Sequence, residues 1–462
     1  MRKIIDRKTL INVLWASLPC LAVIILTLFG GVENFPFPDT AEYLRLGQSL
    51  AADFSFSPPD IPLCRRVPGY PFCLMLFSCM GSYNFLILNV LFIFGISWYG
   101  MRLMEKVNIE FAYLLPVLIL LSPGLIALGS VPLSEIAFTF FLILSVYYLL
   151  SDRIIISGLA LSAATFCRPI SIVLFILFAA WLIREKKKTL LILLFIALAN
   201  LLPLFWTVRN YVKYNYPVYT TLSGFNLLYY KAGAYLSWKN DIPFDEMREN
   251  LKKQVKGNNI FEQSASAGKL GREIIFDNFP GFCLWAPKNM LNFLMPDITP
   301  LLERLHISTG NIKTLDRLRR KGLASAFNHY FNNNPIAIAI TSVYLIFYIA
   351  LFAAVAAGFI RLCMEKHYEK LIFGVLLVGY FWILPIGNLD WRFRMPVTPF
   401  LFILAIYSIK ELVNYSKKAG SAGRQTGNSQ LTTHNSQLTT HNSQLTKITS
   451  KRNRLSSSFV LS

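Results

Sequence analysis

Apolar positions along this 462-residue chain fall into long uninterrupted runs, not into the three-and-four spacing of a surface helix. Each run holds about 16–28 residues, close to the roughly 20 that a helix needs to cross a bilayer. They occupy Thr9–Gly31, Tyr83–Met104, Phe111–Leu128, Ser134–Leu150, Leu190–Val208, Ile336–Ile360, Leu371–Ile386 and Val397–Val413. The run between Ile154 and Ile183 is interrupted by Cys167-Arg168-Pro169, where proline breaks or kinks a helix. Read as a hairpin of two short arms, it leaves Arg184-Glu185-Lys186-Lys187-Lys188 in the cytoplasm with the other basic clusters. A single long helix would put that cluster outside, against the positive-inside rule. The pattern predicts an all-α polytopic membrane protein of about ten transmembrane helices, with both termini cytoplasmic. The first run is too long for a signal peptide and no Ala-x-Ala site follows it, so it is expected to stay uncleaved.

Two polar segments, about 32–82 and 209–335, then form a first external loop and one long external loop. Within the second, Gly281–Pro296 is apolar but short and carries Lys288, which suits an interfacial helix better than a span. Residues 1–415 make one membrane domain. The stretch 416–462 differs: Asn-Ser-Gln-Leu-Thr-Thr-His at 428–434 recurs at 435–441 and begins again at Asn442. One leucine per repeat gives no coiled-coil seam, and a disordered low-complexity cytoplasmic tail is expected.

Composition sharpens this picture. Hydrophobic residues make up 54% and charged residues 15%, against about 25% charged in soluble domains. The net charge of +20 invites a nucleic-acid reading. Its distribution opposes one: Arg2, Lys3, Arg7, Lys8, Lys410, Lys417 and Lys418 flank apolar runs, as membrane orientation requires. Five cysteines (Cys20, Cys73, Cys79, Cys167, Cys363) fall in apolar segments and are expected to pack as small hydrophobes. Cys64 and Cys283 lie in the loops, and a disulfide between them is left open.

The spans carry almost no ionisable groups, unlike a secondary transporter with charged sites near the midplane. Charge gathers instead at the external ends of helices: Asp39, Glu42, Arg65, Arg66, Glu135, Arg168, Arg209, Asp390, Arg392 and Arg394. Arginines are unexpected there. Guanidinium groups stay charged and bind phosphate in bidentate fashion, so an anionic lipid headgroup is one reading, and structural pairing with neighbouring carboxylates is the other.

The local sequences resemble a known family. Phe37-Pro38-Asp39-Thr40-Ala41-Glu42-Tyr43-Leu44 with Arg65-Arg66-Val67-Pro68-Gly69-Tyr70-Pro71 is similar to the first external loop of GT-C membrane glycosyltransferases. The nearest branch is the bacterial relatives of protein O-mannosyltransferases and of the lipid A aminoarabinose transferase. Pro132-Leu133-Ser134-Glu135, Thr165-Phe166-Cys167-Arg168-Pro169, Arg209-Asn210-Tyr211, Gly224-Phe225-Asn226-Leu227 and Arg392-Phe393-Arg394-Met395-Pro396-Val397-Thr398-Pro399 follow in family order. The chain departs from the eukaryotic mannosyltransferases in having Thr40, not a second acid, after Asp39.

The resemblance implies an inverting enzyme that moves a sugar from a polyprenyl-phosphate carrier to an acceptor hydroxyl on a lipid, glycan or protein, at the external face of a bacterial inner membrane. Asp39 would accept the hydroxyl proton. Arg66, Arg392 and Arg394 would neutralise the leaving phosphate, with Arg65, Arg168 and Arg209 in support. Glu135, Tyr43 and Glu42 would bind sugar or acceptor. Asp39 alternatively reads as a helix N-cap, Glu135 as a first-turn acid, and Tyr43 as an interfacial aromatic. Asp39 and Glu135 leave room for a divalent cation, although no carboxylate or histidine cluster demands one. His306 and His329 read as surface residues. A transporter or flippase of a lipid-linked sugar is the alternative function.

Overall fold

The computed structural model describes residues 6–409 except 34, 36, 291–293, 295–297, 308–321, 323, 324, 326, 332, 333, 366, 367, 385 and 387–390. Arg2, Lys3, Asp390, Lys410 and the repeat-bearing tail lie outside the described residues. Two compact units are distinguished, Met1–Tyr407 and Ser408–Ser462, and the first is described below.

Every described element is helical. Four helices are long and apolar enough to cross a membrane: α1 (Arg7–Gly30), the run Ser78–Lys106 that contains α4 (Asn84–Lys106), α18 (Pro335–Met364) and α20 (Trp391–Ile409). Two bent pairs raise the number to six. They are α6 (Pro123–Gly129) with α7 (Ser134–Leu150), and α10 (Thr189–Ala199) with α11 (Leu201–Tyr214). This is a helical membrane protein. Shorter apolar helices α8 (Ile154–Cys167), α9 (Leu174–Arg184) and α19 (Tyr368–Ile383) complete the bundle.

The helix ends follow from local chemistry. Asp6 accepts from the Thr9 amide, and Asn334 accepts from the Ile336 and Ala337 amides ahead of α18, with Pro335 at its first position. The 47° bend between α10 and α11 follows from Pro203, which has no amide for the preceding turn; the Ser162 hydroxyl accepts the nearby Leu202 amide at 3.0 Å.

The expected single span Phe111–Leu128 is instead two seven-residue helices, α5 (Leu114–Leu120) and α6. Ser122 caps α6 and Pro123 starts it, so Ser-Pro-Gly inside the apolar run ends one helix and begins another.

The 154–184 stretch doubles back on itself. α8 ends at Cys167, Arg168 is extended, and a 3-10 turn over Pro169–Ser171 precedes α9. Lys187, in the short turn after α9, pairs with Asp152 at 2.7 Å, in the turn before α8. Both turns therefore lie at one end of the bundle. Lys8 and Glu105 pair at 3.1 Å and tie the start of α1 to the end of α4. At the opposite end the start of α7, the end of α8 and the start of α20 converge. Ser145 and Ser157 exchange hydroxyl-to-carbonyl bonds of 2.8 and 2.9 Å that fasten α7 to α8 inside the core.

Two intervening segments cover that end. The first holds α2 (Asp39–Asp53) and α3 (Gly69–Leu76). The second holds α12 (Leu222–Phe225), a π-helical stretch Asn226–Ala232, α13 (Gly233–Asn240), α14 (Phe244–Lys252), α15 (Ile260–Asp277), α16 (Phe279–Met290) and α17 (Thr299–Arg304). α16 buries Trp285 against Tyr235 of α13 and leaves Phe279 and Leu284 exposed. Arg304 is fully buried and donates to the carbonyls of Thr27, Gly30 and Gly31, closing the C-terminus of α1. All seven cysteines are free thiols. Cys64 is buried and Cys283 exposed, so the disulfide left open by the sequence is not formed. Cys79 is exposed, contrary to its expected packing, because Ser78–Tyr83 is a 3-10 turn ahead of α4.

Candidate functional site

Asp39 is the first residue of α2, not its cap: Pro38 holds the cap position and makes no side-chain bond. Freed from capping, the half-buried carboxylate faces arginines. Arg66 Nη2 donates to Asp39 Oδ1 at 2.6 Å, and its Nε donates to Glu42 Oε2 at 2.6 Å. One guanidinium thus clamps two carboxylates a helical turn apart on α2. Arg65 Nη1 approaches Glu42 Oε1 at 3.5 Å from the other side.

The second half of the site comes from α7, α8 and α20. Glu135, in the first turn of α7, is 2% exposed and forms an ion pair with Arg168 at the end of α8. Its Oε2 is buried with no hydrogen-bond partner among the described residues. Arg392, at the start of α20, joins the two halves. Its Nη1 lies 3.5 Å from Asp39 Oδ2 and 3.8 Å from Glu135 Oε1. A guanidinium therefore stands where a cation shared by Asp39 and Glu135 would sit, and among the described residues no three His, Cys, Asp or Glu side chains gather as a metal shell.

Aromatic rings support the arginines from below. Arg66 lies over Tyr43 at 5.3 Å, Arg392 over Phe37 at 5.0 Å and Arg168 over Phe393 at 5.6 Å. Tyr43 is buried: its hydroxyl shares a 3.0 Å hydrogen bond with Ser134 Oγ, and its ring meets Tyr70 edge-on. It is a platform for Arg66 in this conformation, neither an exposed interfacial aromatic nor a wall open to a sugar.

Electrostatics fix the charge state of Asp39. Burial alone would raise its carboxyl, but Arg66 and Arg392, the Arg66 hydrogen bond and the more distant Arg168 outweigh that and hold it below the ordinary carboxylate range. Burial likewise pushes the Cys64 thiol up to about 11, so it is inert at neutral pH.

Two other expected members stack on aromatic rings. Arg394 is 1% exposed and stacks on Tyr348 and Phe352 of α18, at 4.8 and 5.9 Å. Arg209, on α11, stacks on Trp206 and Tyr214 and bonds the Asn210 side chain at 2.9 Å. His306 is exposed beside Phe29.

Asn89 of α4 belongs to the site's scaffold although sequence reasoning passed over it. Fully buried, it donates to the Gly129 and Val131 carbonyls at 3.1 and 2.8 Å and accepts from the Tyr70 hydroxyl at 3.3 Å. It thereby holds the turn that delivers Ser134 and Glu135. An asparagine alone in an apolar run, where an unpaired amide is costly, is the signal that marks it.

The chain matches no protein-family model, and no curated protein matches it significantly.

Proposed function

We propose that this protein is a membrane glycosyltransferase that moves a sugar from a polyprenyl-phosphate carrier to an acceptor hydroxyl, with inversion at the anomeric carbon. The observation that carries the reading is the Asp39–Arg66–Glu42 clamp joined through Arg392 to the Glu135–Arg168 pair: an ionised carboxylate ringed by guanidiniums on a membrane protein.

In the reaction the acceptor oxygen bonds to the anomeric carbon while the sugar–phosphate bond breaks. The hydroxyl proton passes to Asp39, and the electron pair leaves on the polyprenyl phosphate. Arg66 and Arg392 offset the charge that develops there. A carboxylate held low is a weak base at rest. The donor corrects this: its phosphate competes for Arg66 and Arg392, and as they turn toward it Asp39 loses counter-charge and burial regains its influence. Glu135 holds Arg168 and Arg392 at the opposite wall.

The same reading takes the basic end of the bundle, with the Lys8–Glu105 and Lys187–Asp152 pairs, as cytoplasmic and the arginine-ringed end as external. Ten crossings require α5 and α6 to cross as a unit separate from α7, beside the four long helices, α8, α9, the α10–α11 pair and α19. A bacterial inner membrane is the proposed location.

The test is transfer from a synthetic polyprenyl-phosphate sugar by the full chain in proteoliposomes supplemented with native membranes as acceptor source. Asp39→Asn keeps the shape and should slow turnover about 10²–10⁴-fold with donor binding retained. Wild-type turnover in a normally inserted Asp39→Asn protein sinks the assignment. Movement of the intact lipid-linked sugar between leaflets, with its phosphate bond uncleaved, would make the protein a flippase.

A further inference from the structure

A second constellation lies beside the Asp39 site. A cavity of about 200 Å³ opens between the first segment and the second, lined by Arg65, Phe225, Asn226, Tyr229, Tyr230 and Arg248 among others, and no acidic side chain lines it. The Nε atoms of Arg65 and Arg248 are both buried without a hydrogen-bond partner among the described residues. Two guanidinium side chains among the residues lining one cavity, with no carboxylate among them, favour an anion there.

Aromatic rings line the cavity beside the charges. Phe225 and Tyr229 stack at 5.9 Å and 5°, and Arg248 lies over Tyr230 at 6.0 Å. These rings sit on and beside the π-helical stretch Asn226–Ala232, a distortion that recurs at functional sites. The stretch is pinned from behind, since a Cβ on Gly224 would lie 2.0 Å from the Ser264 carbonyl oxygen. An aromatic face suits the apolar face of a sugar ring, and the Asn226 amide can both donate to and accept from ring hydroxyls. The volume is below the roughly 300–1,000 Å³ of pockets for drug-sized ligands, so it admits one ring and its charged substituent.

We propose that this cavity binds an acidic sugar, one ring bearing a phosphate or carboxylate, and that it is the acceptor subsite. Its place in the chain of contacts argues for that role. Arg65 reaches Glu42, Glu42 holds Arg66, and Arg66 holds Asp39, so the cavity is linked through three ion pairs to the proposed proton acceptor. Calling it the acceptor subsite rests on the transferase reading; the anion and ring chemistry does not.

The test is direct binding to the full-length protein in phosphatidylcholine nanodiscs, with glucose 6-phosphate, glucuronate, glucose and inorganic phosphate as probes. The two acidic sugars should bind at least about tenfold more tightly than glucose. Arg248→Gln should weaken them about 10–100-fold, and Tyr229→Ala should weaken them while leaving inorganic phosphate unchanged. Arg248 lies half-exposed on α14, and far-UV circular dichroism checks that its variant is folded. Equal affinity for glucose and glucose 6-phosphate, or wild-type affinity in folded Arg248→Gln, overturns the proposal. Nanodiscs containing phosphatidylinositol 4-phosphate identify the source: weakened binding of the soluble probe points to a lipid-borne ring, and unchanged binding to a soluble glycan. Because the readout is binding, failed transfer with intact binding would refute only the transferase reading.

Discussion

Replacing Arg66 by alanine removes both bonds of the clamp at once. Each is a charge-assisted hydrogen bond of 2.6 Å, worth about 1.5–3 kcal/mol, so the ceiling is about 3–6 kcal/mol. The ceiling is not reached, because the Asp39 and Glu42 side chains are 31% and 22% exposed and water replaces part of what is lost. Arg392 and Arg65 also remain, each at 3.5 Å. A loss of about 2–4 kcal/mol at neutral pH is expected. Arg66→Lys keeps a charge but not the fork, and should recover about half. The pH dependence is the sharper part. Asp39 is held below its unfolded value, so its stabilising contribution is complete above the ordinary carboxylate range and disappears as pH falls through the lowered folded value. The gap between wild type and Arg66→Ala should therefore hold from pH ~7 to ~5 and narrow from there toward pH ~3. Reversible unfolding in mixed micelles, followed by tryptophan fluorescence across that range, measures it. Equal stability at neutral pH, or a gap that stays constant on acidification, would falsify the clamp as an energetic unit.

Other expectations follow from the scaffold. Asn89→Leu preserves volume but strips the Gly129 and Val131 carbonyls of their donor; a stability loss of about 2 kcal/mol or more should accompany reduced transfer, read by the same unfolding and transfer assays. In Gly69→Ala a new Cβ would stand 2.4 Å from the Phe166 carbonyl, a backbone atom that cannot turn aside, so α3 should shift from the end of α8 at a cost of about 1–3 kcal/mol; a protein as stable and active as wild type would contradict the packing. A topology reporter inserted near Gly257 should read external and one fused after Lys418 cytoplasmic; the reverse at both sites would remove the proposed external face.

Much of this arrangement could be read along the chain, for identifiable reasons. Apolar runs mark helices that face lipid, and Pro169 after Arg168 marks the break because proline has no amide to continue the turn. The carboxylates and arginines at helix ends announce themselves by breaking the charge rules, and seven of them (Asp39, Glu42, Arg65, Arg66, Glu135, Arg168 and Arg392) converge. What remained hidden depends on partners distant in sequence. Whether Arg394 turns toward Asp39 or under Tyr348 is decided by α18, and Arg209 is drawn aside by Trp206 on its own helix. Asp39 reads as a cap until the structure sets Pro38 in that position. The cavity between Arg65 and Arg248 was invisible because its two cations come from different segments and neither motif names the other.

The bridge made by Arg392 also has a schedule. Its contact with Asp39 joins residues 353 positions apart, among the longest separations in the fold. A ribosome adding about 5–20 residues per second delivers Arg392 roughly 20–70 s after Asp39. For that interval the nascent protein can set Arg66 between Asp39 and Glu42 and insert its early helices, yet Asp39 and Glu135 still lack the guanidinium that joins them. Chains interrupted before α20 would lack Arg392 and hold an unfinished site. Completion of the site is thereby deferred until α20 is made, well after the helices that carry Asp39 and Glu135.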